Sequence, residues 1–373
     1  MKTVVFFCGY FLPHLGGIER YIDNLSKQFV KNGIKVIIVS SNFDNAANYE
    51  IIDNIIQIRI PIYNAFKNRY PIPRKNREYR HLIKKLDDFD ISAIIVNTRF
   101  HLTSHIGAKY GKKKNIPVYL IEHGSNYVTL DNKFIDFFAN RYEDFLTFKI
   151  KKYVKNFYGV SNVSSEWIKK FHIKANGTWY NSINTDQKIP TRKKHNSINF
   201  MYAGRLIKQK GVENILEAFK KLLNMNKNLH LFIAGDGPEL NHYKNKYSNE
   251  NIEFLGKLNY EELSHYYSLS DIFLYPPLWP EGLPTSILEA GLMGCCVIGT
   301  SQGGIKEIIS DKKNGLIAGN DMQSLYECMK TLCDNKNLIN KYSNELKKSI
   351  KKKFSWNINA KKIARDIGVL DEK

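Results

Sequence analysis

Two glutamates, Glu281 and Glu289, bracket the stretch PEGLPTSILEAG, Pro280 to Gly291. A Pro-Thr-Ser start to an apolar run reads as the beginning of a helix. The amino end of a helix carries unpaired N–H groups and the positive end of the dipole, so it attracts anions such as phosphate. Pro284 suits the first helical position, and Ser286-x-x-Glu289 has capping-box spacing, which gives Glu289 a structural explanation. Glu281 has none of that kind. It precedes the helix beside Gly282, where an incoming phosphate would compete with it. Carboxylates on both sides of a bound phosphate can accept hydrogen bonds from sugar hydroxyls.

Two cations point to the same chemistry. In YAGRLIKQKGV, Arg205 and Lys210 follow an apolar run and precede a helical one. Cations beside helix-start amides make a strong anion site, although solvated loop residues would read the same way. Gly16 and Gly17, in LGGIE, lie where backbone without side chains can approach a ligand. The pattern is not G-x-G-x-x-G, so the dinucleotide fingerprint is absent. His123, in IEHGS, ends an apolar run. GGIKEII (303–309) places Glu307 behind a further Gly pair. The DFD at Asp88 to Asp90 resembles a metal motif but lies before a strand, and it reads as a solvated loop.

These residues need parallel strands to hold them. TVVFFCGY, KVIIVSS, AIIVN, PVYLIEH and NFYGVS are continuous apolar runs, and GGIERYIDNLSKQFVKNG between the first two has helical spacing. Such runs predict a parallel sheet covered on both faces. The pattern then restarts with INFMYAGRL, GVENILEAFKKLLNM, LHLFIAGDGPEL, IEFLGKL, DIFLYPPL and CCVIGT. The reading is two successive doubly wound α/β domains, 1–185 and 186–350, joined near the polar stretch 181–196. A last helix in 351–373 is expected to pack back toward the N-terminal domain. Two such domains facing each other form a cleft at the carboxyl ends of the strands, where ligands bind in open α/β sheets.

The 373 residues carry a net charge of +20. Residues 1–185 hold 28 Lys+Arg against 15 Asp+Glu, so most of the excess is N-terminal. A basic half attracts phosphorylated substrates, anionic lipid or nucleic acid. No zinc-finger spacing or RNP-type motif argues for nucleic acid. Five cysteines without metal or disulfide spacing suit a reduced, cytoplasmic chain. No run reaches the roughly 18–20 apolar residues of a spanning helix. FKNRYPIPRKNREYRHLIKK (66–85) holds eight Lys/Arg and one acid, with Phe66, Tyr70 and Tyr79 interleaved. It is either an anionic-membrane surface or a solvated helix face.

In this order the pieces resemble one family. GGIE, His123, AGRLIKQKG, IAGDGPE, FLGKL, EGLPTSILEA and GG-x-x-E together resemble the retaining GT-B fold glycosyltransferases of family 4. The resemblance implies two Rossmann-like domains facing across a cleft. It implies that Arg205 and Lys210 hold a donor diphosphate and that Glu289 accepts from ribose hydroxyls. Glu281 and the amides of Gly282, Leu283, Pro284 and Thr285 would contact the donor sugar. His123 would position that sugar, Gly16 and Gly17 would lie against phosphate and acceptor, and Gly256, Lys257 and Leu258 would sit near the base.

The implied co-substrate is a UDP- or GDP-linked sugar, with no other cofactor and no metal. The implied acceptor is a glycan or lipid-linked saccharide in surface polysaccharide synthesis, such as capsule or lipopolysaccharide, at the inner face of the plasma membrane. The chain departs from the family at Asn181-Ser182-Ile183-Asn184, where Asn-Gly-x-Asp is frequent, and in VNTRFH (96–101), which is less rich in His. A nucleotide-sugar epimerase, a phosphorylase or a non-catalytic sugar-binding scaffold are the other readings of such a chain.

Overall fold

A computed structural model describes residues 1–371 apart from 15, 44, 66–69, 130, 131, 188, 193, 194 and 226. The chain divides into two compact units: Met1–Asn181 with Trp356–Lys373, and Ser182–Ser355.

The first unit is built on β1 (Thr3–Phe7), β2 (Lys35–Ser41), β3 (Tyr49–Ile52), β4 (Ile55–Ile60), β5 (Ile62–Ala65), β6 (Tyr70–Pro73), β7 (Ile91–Asn97), β8 (Val118–Glu122), β9 (Asn156–Gly159) and β10 (Gly177–Thr178). Eight of these form one sheet in the order β10-β9-β8-β7-β1-β2-β4-β3. Only the edge strand β3 runs antiparallel to its neighbour. β5 and β6 form a separate hairpin. The apolar runs of β1, β2 and β7 are buried on both faces because side chains alternate: Val4 and Phe6 enter one core, Val5 and Phe7 the other. The covering helices are α1 (Gly17–Lys31), α2 (Arg77–Lys84), α3 (Leu102–Lys114), α4 (Lys133–Ile150) and α5 (Asn162–Trp167). On α1, Tyr21, Ile22, Leu25 and Phe29 recur at helical spacing and fill the first core.

The second unit carries β11 (Ile198–Ala203), β12 (Leu229–Ala234), β13 (Ile252–Gly256), β14 (Ile272–Tyr275), β15 (Cys296–Thr300) and β16 (Leu316–Ala318). All are parallel, in the order β13-β12-β11-β14-β15-β16. Relative to chain order this is 3-2-1-4-5-6, the doubly wound nucleotide-binding order, which reverses between β11 and β14. Its helices are α6 (Val212–Leu223), α7 (Leu240–Tyr247), α8 (Tyr260–Leu269), α9 (Thr285–Leu292), α10 (Ile305–Ile308), α11 (Met322–Asp334) and α12 (Lys336–Lys353). The chain then returns to the first unit as α13 (Trp356–Asp366). There Trp356 lies edge-on to Tyr21, with ring centroids 5.0 Å apart. The Trp179 indole donates to Asp366 Oδ2 at 2.7 Å. Residues 351–355 stay with the second unit, where α12 packs on α9 and β15.

The sequence reading differs in places. Strands β3, β4, β5, β6, β10 and β16 have no counterpart in it. The segment 66–85 is not one helix: residues 66–69 lie outside the described residues, and the rest is β6, a turn and the short α2. Pro71 and Pro73 remove two backbone donors and confine that stretch to a hairpin. The Asp88–Asp90 motif precedes β7, at the amino end of the sheet.

Candidate functional site

In the second unit the site residues gather where the strand order reverses. Arg205 and Lys210 follow β11, and Glu281 lies between β14 and α9. Both loops leave the carboxyl ends of neighbouring strands, so the topology itself brings cations and carboxylate together. Lys210 Nζ pairs with Glu281 Oε1 and donates to Tyr275 Oη at 3.1 Å. The Tyr275 hydroxyl donates onward to Glu281 Oε2 at 2.8 Å. Tyr275 is buried at the end of β14, and burial with the adjacent Glu281 charge pushes its hydroxyl far up, so it stays a proton donor. Tyr202 stacks near-parallel on Tyr275, its hydroxyl donating to the Arg205 carbonyl at 3.0 Å. Arg205 itself is exposed and forms no ion pair among the described residues. Sequence reasoning missed Tyr202 and Tyr275, because apolar strands rich in tyrosine read simply as core. Tyr275→Phe is expected to lower kcat/KM roughly 5- to 30-fold, the worth of one or two charge-assisted hydrogen bonds, with the melting temperature nearly unchanged.

Glycines weld the loops around this group. Gly303 has φ +56°, and a Cβ there would stand 1.9 Å from the Glu281 carbonyl oxygen. The N–H of Gly304 donates to that same oxygen at 3.0 Å. A Cβ on Gly211, φ +68°, would meet the Pro276 carbonyl oxygen at 2.1 Å. The Gly pair before Glu307 thus fixes the loop that carries Glu281. Gly303→Ala is expected to cost about 2–3 kcal/mol, from left-handed backbone plus displaced main chain. Gly17→Ala, with no atom within 4 Å of the new Cβ, is expected to stay within about 0.5 kcal/mol. Urea unfolding of the two variants checks both.

The helix start differs from the sequence reading. Pro284 has ψ 114°, so it is the cap residue, and Thr285 is the first helical residue. The cap residue Pro284 makes no side-chain cap bond and Ser286 lies inside the helix, so the Ser286–Glu289 capping box does not form. Glu289 instead lies inside the helix facing α8, where burial, and after it the Glu289 charge, pushes up the hydroxyls of Tyr260 and Tyr267. The amino end of α9 carries the positive end of the helix dipole and no bond from its cap residue's side chain. Gly256 ends β13 with φ +70° and open space around it, and Lys257 and Leu258 follow on the surface side.

In the first unit His123 follows β8. Its Nε2 lies 2.9 Å from Asn97 Oδ1, and its ring meets Tyr21 edge-on at 5.0 Å. Asn97 Nδ2 donates to the Phe7 carbonyl, so Oδ1 must face the imidazole. His123 therefore carries its proton on Nε2 and offers Nδ1 as an acceptor. Burial, aided by nearby His101, pulls its pKa down to about 3, so the ring is neutral at pH 7. Gly16 caps α1, and Glu19 of the GGIE motif folds back beneath it, facing His14 at 3.3 Å.

A buried ion cluster supports this loop. Arg99 bonds Glu122 at 2.8 Å and Glu143 at 2.7 Å, and all three are nearly inaccessible. The second oxygens of those carboxylates accept from the N–H groups of Gly124 and Val128. Thr98, beside Arg99, takes φ +65°, which a β-branched residue seldom adopts. Three charges scattered over 45 positions left no local signal in the sequence.

The comparisons with known proteins agree along the chain. A family model described as glycosyl transferases group 1 matches residues 166–353, just over half the chain, and one for glycosyltransferase family 4 matches 15–187. An uncharacterized glycosyltransferase of Methanocaldococcus jannaschii is 29% identical over 95% of both chains. Among solved structures, sucrose-phosphate synthase from Thermosynechococcus elongatus superposes with a TM-score of 0.80 at 16% identity, covering 98% of each chain. HepE of Anabaena, in complex with UDP and glucose, gives 0.75 at 14% identity, covering 99% of this chain and 100% of its own. The fold is GT-B.

Proposed function

Because the chain belongs to the glycosyl transferases group 1 family and is a glycosyltransferase, we propose that it moves a hexose or N-acetylhexosamine from a UDP- or GDP-linked sugar to a glycan or lipid-linked saccharide, with retention of anomeric configuration. The observation that carries this reading is the Lys210–Tyr275–Glu281 group beside Arg205 and the amino end of α9. A UDP–glucose pair in HepE, a structure of like fold, supports the donor class.

The chemistry follows from charge. The bond between the sugar's anomeric carbon and the diphosphate oxygen breaks, leaving an oxocarbenium-like sugar and a more negative leaving group. Arg205, Lys210 and the α9 amides stabilise that growing charge, and such stabilisation commonly contributes more to the rate than any other single effect. These groups can do so without a metal ion. Glu281, released from Lys210 as the diphosphate binds, accepts from hydroxyls of the donor sugar. Glu289 serves the ribose, and Gly256 to Leu258 the base. His123, neutral, accepts a sugar hydroxyl through Nδ1, and the Gly16–Gly17 turn faces phosphate and acceptor. The acceptor oxygen attacks on the face the diphosphate leaves, and its proton passes to the departing phosphate oxygen.

The test is a panel of UDP- and GDP-sugars with lipid-linked and free saccharide acceptors. Nucleoside diphosphate release and the anomeric proton coupling of the product are followed by NMR. One donor turned over with unchanged anomeric configuration supports the reading. An inverted product removes retention. Sugar binding without turnover of any donor overturns the catalytic reading.

A further inference from the structure

Helix α4 has an unusual surface. Its inward face, Glu143, Leu146, Thr147 and Ile150, is buried. Its outward face carries Phe134, Ile135, Phe137, Phe138, Tyr142, Phe145 and Phe148, all exposed, with Phe134 at 74% and Phe148 at 62%. At 3.6 residues per turn these side chains fall within an arc of about 160° and run about 21 Å along the helix. Surface helices of soluble domains are polar on the side away from the core. A patch of this size marks an interaction site.

The cations around it name the partner. Lys149 sits 4.0 Å over the Phe145 ring, Lys152 lies over Phe148 and Arg141 over Phe137. The two acids beside that arc are already engaged: Asp136 accepts from Thr129, and Asp144 accepts from Tyr127 and pairs with Arg141 at 3.6 Å. At the side of the helix Tyr142 meets Tyr70 of β6, with ring centroids 6.1 Å apart. That contact joins α4 to the basic stretch, where Arg74, Lys75, Arg77 and Arg80 are exposed. In that stretch Tyr79 packs inward against the core, so it supplies charge but no inserting aromatic of its own.

We infer that the aromatic face of α4 docks the first unit onto an anionic lipid bilayer, with the adjoining 70–85 segment held over the headgroups. The phenylalanines enter the headgroup boundary, and Lys and Arg beside them reach the phosphates. No helix is long and apolar enough among the described residues to cross a membrane, so the helix lies along the surface. A second copy of this chain fits the patch less well. Each copy brings a net charge of +20, most of it in this half, so paired faces would repel where an anionic bilayer attracts. The inference goes beyond the sugar chemistry and does not depend on it.

The test is flotation of the full chain with vesicles of phosphatidylcholine alone and of phosphatidylcholine mixed with phosphatidylglycerol. The wild-type chain is expected on the mixed vesicles, with binding that weakens as salt is raised. Phe134→Ser/Phe138→Ser/Phe145→Ser is expected to bind them at least about tenfold more weakly. Its melting curve should match the wild type, since the three rings are exposed. Arg74→Glu/Arg77→Glu should lose the preference for anionic vesicles. Equal binding by the triple variant, or no binding of the wild type to either vesicle, overturns the inference. So does a wild-type dimer in light scattering that the triple variant splits while neither floats.

Discussion

Lys210→Ala is expected to lower kcat by about 10²- to 10³-fold, with a smaller change in KM for the donor. The cation sits where negative charge grows on the leaving diphosphate, so its worth is greatest in the transition state. In the free protein it also neutralises Glu281. Removing it leaves that carboxylate, still bonded to Tyr275, to repel the incoming phosphate. Lys210→Ala and Glu281→Gln should therefore be non-additive: the double variant should lose less than the product of the single losses. Lys210→Arg should recover part of the rate, since the charge returns without the same reach. Steady-state kinetics on the four forms checks this. Additive losses would mean that the two side chains act on separate parts of the donor.

The largest stability effect is expected at Arg99→Leu, about 3–5 kcal/mol at pH 7.5, because two buried carboxylates lose their common cation. The loss carries a pH signature. Burial already pushes Glu143 up to about 7, and the Arg99 charge is the main influence pulling it down. Without Arg99 that carboxyl rises further. Between its unfolded value near 4.5 and its folded value, the folded chain then binds more protons than the unfolded one. Stability from this group rises as pH falls through that window. The gap between variant and wild type should thus narrow as pH falls from 8 to about 7, below which the Glu143 carboxyl is protonated in both folded proteins. The low-lying histidines act alike in both proteins and cancel in the difference. Urea unfolding at several pH values measures the gap, and a constant gap would mean that Arg99 acts through packing on Phe171 alone.

The parallel strands were legible because they are continuous Val/Ile/Phe runs, and KVIIVSS corresponds to β2 residue for residue. The hairpin of β3 and β4 was not. Its turn is Asp53-Asn54, both at positive φ, a left-handed pair more often signalled by glycine. Exposed Ile51 and Ile52 also blur the alternation of a one-sided strand. At the site, Arg205, Lys210 and Glu281 stood out because charge interrupts apolar runs there. Tyr275 did not, since a tyrosine closing an apolar strand looks like core until its hydroxyl is seen between Lys210 and Glu281. Glu289 read as a cap because spacing alone cannot show that the helix starts at Thr285 and turns that carboxylate toward Tyr267. The aromatic face of α4 was hidden for another reason. Charged and aromatic residues alternate along it without a clean polar stripe, and only the fold shows that Glu143 and Thr147 face in while the phenylalanines face out.

The central claim is that Arg205 and Lys210 hold a nucleoside diphosphate. Calorimetric titration of UDP, GDP, ADP and CMP into the wild-type chain and Arg205→Ala tests it most directly. One diphosphate is expected to bind the wild type, and Arg205→Ala to bind it about 10- to 100-fold more weakly, the loss of a charge-assisted contact to phosphate. Equal affinity in the two proteins, or no binding of any nucleotide to the wild type, would contradict the account.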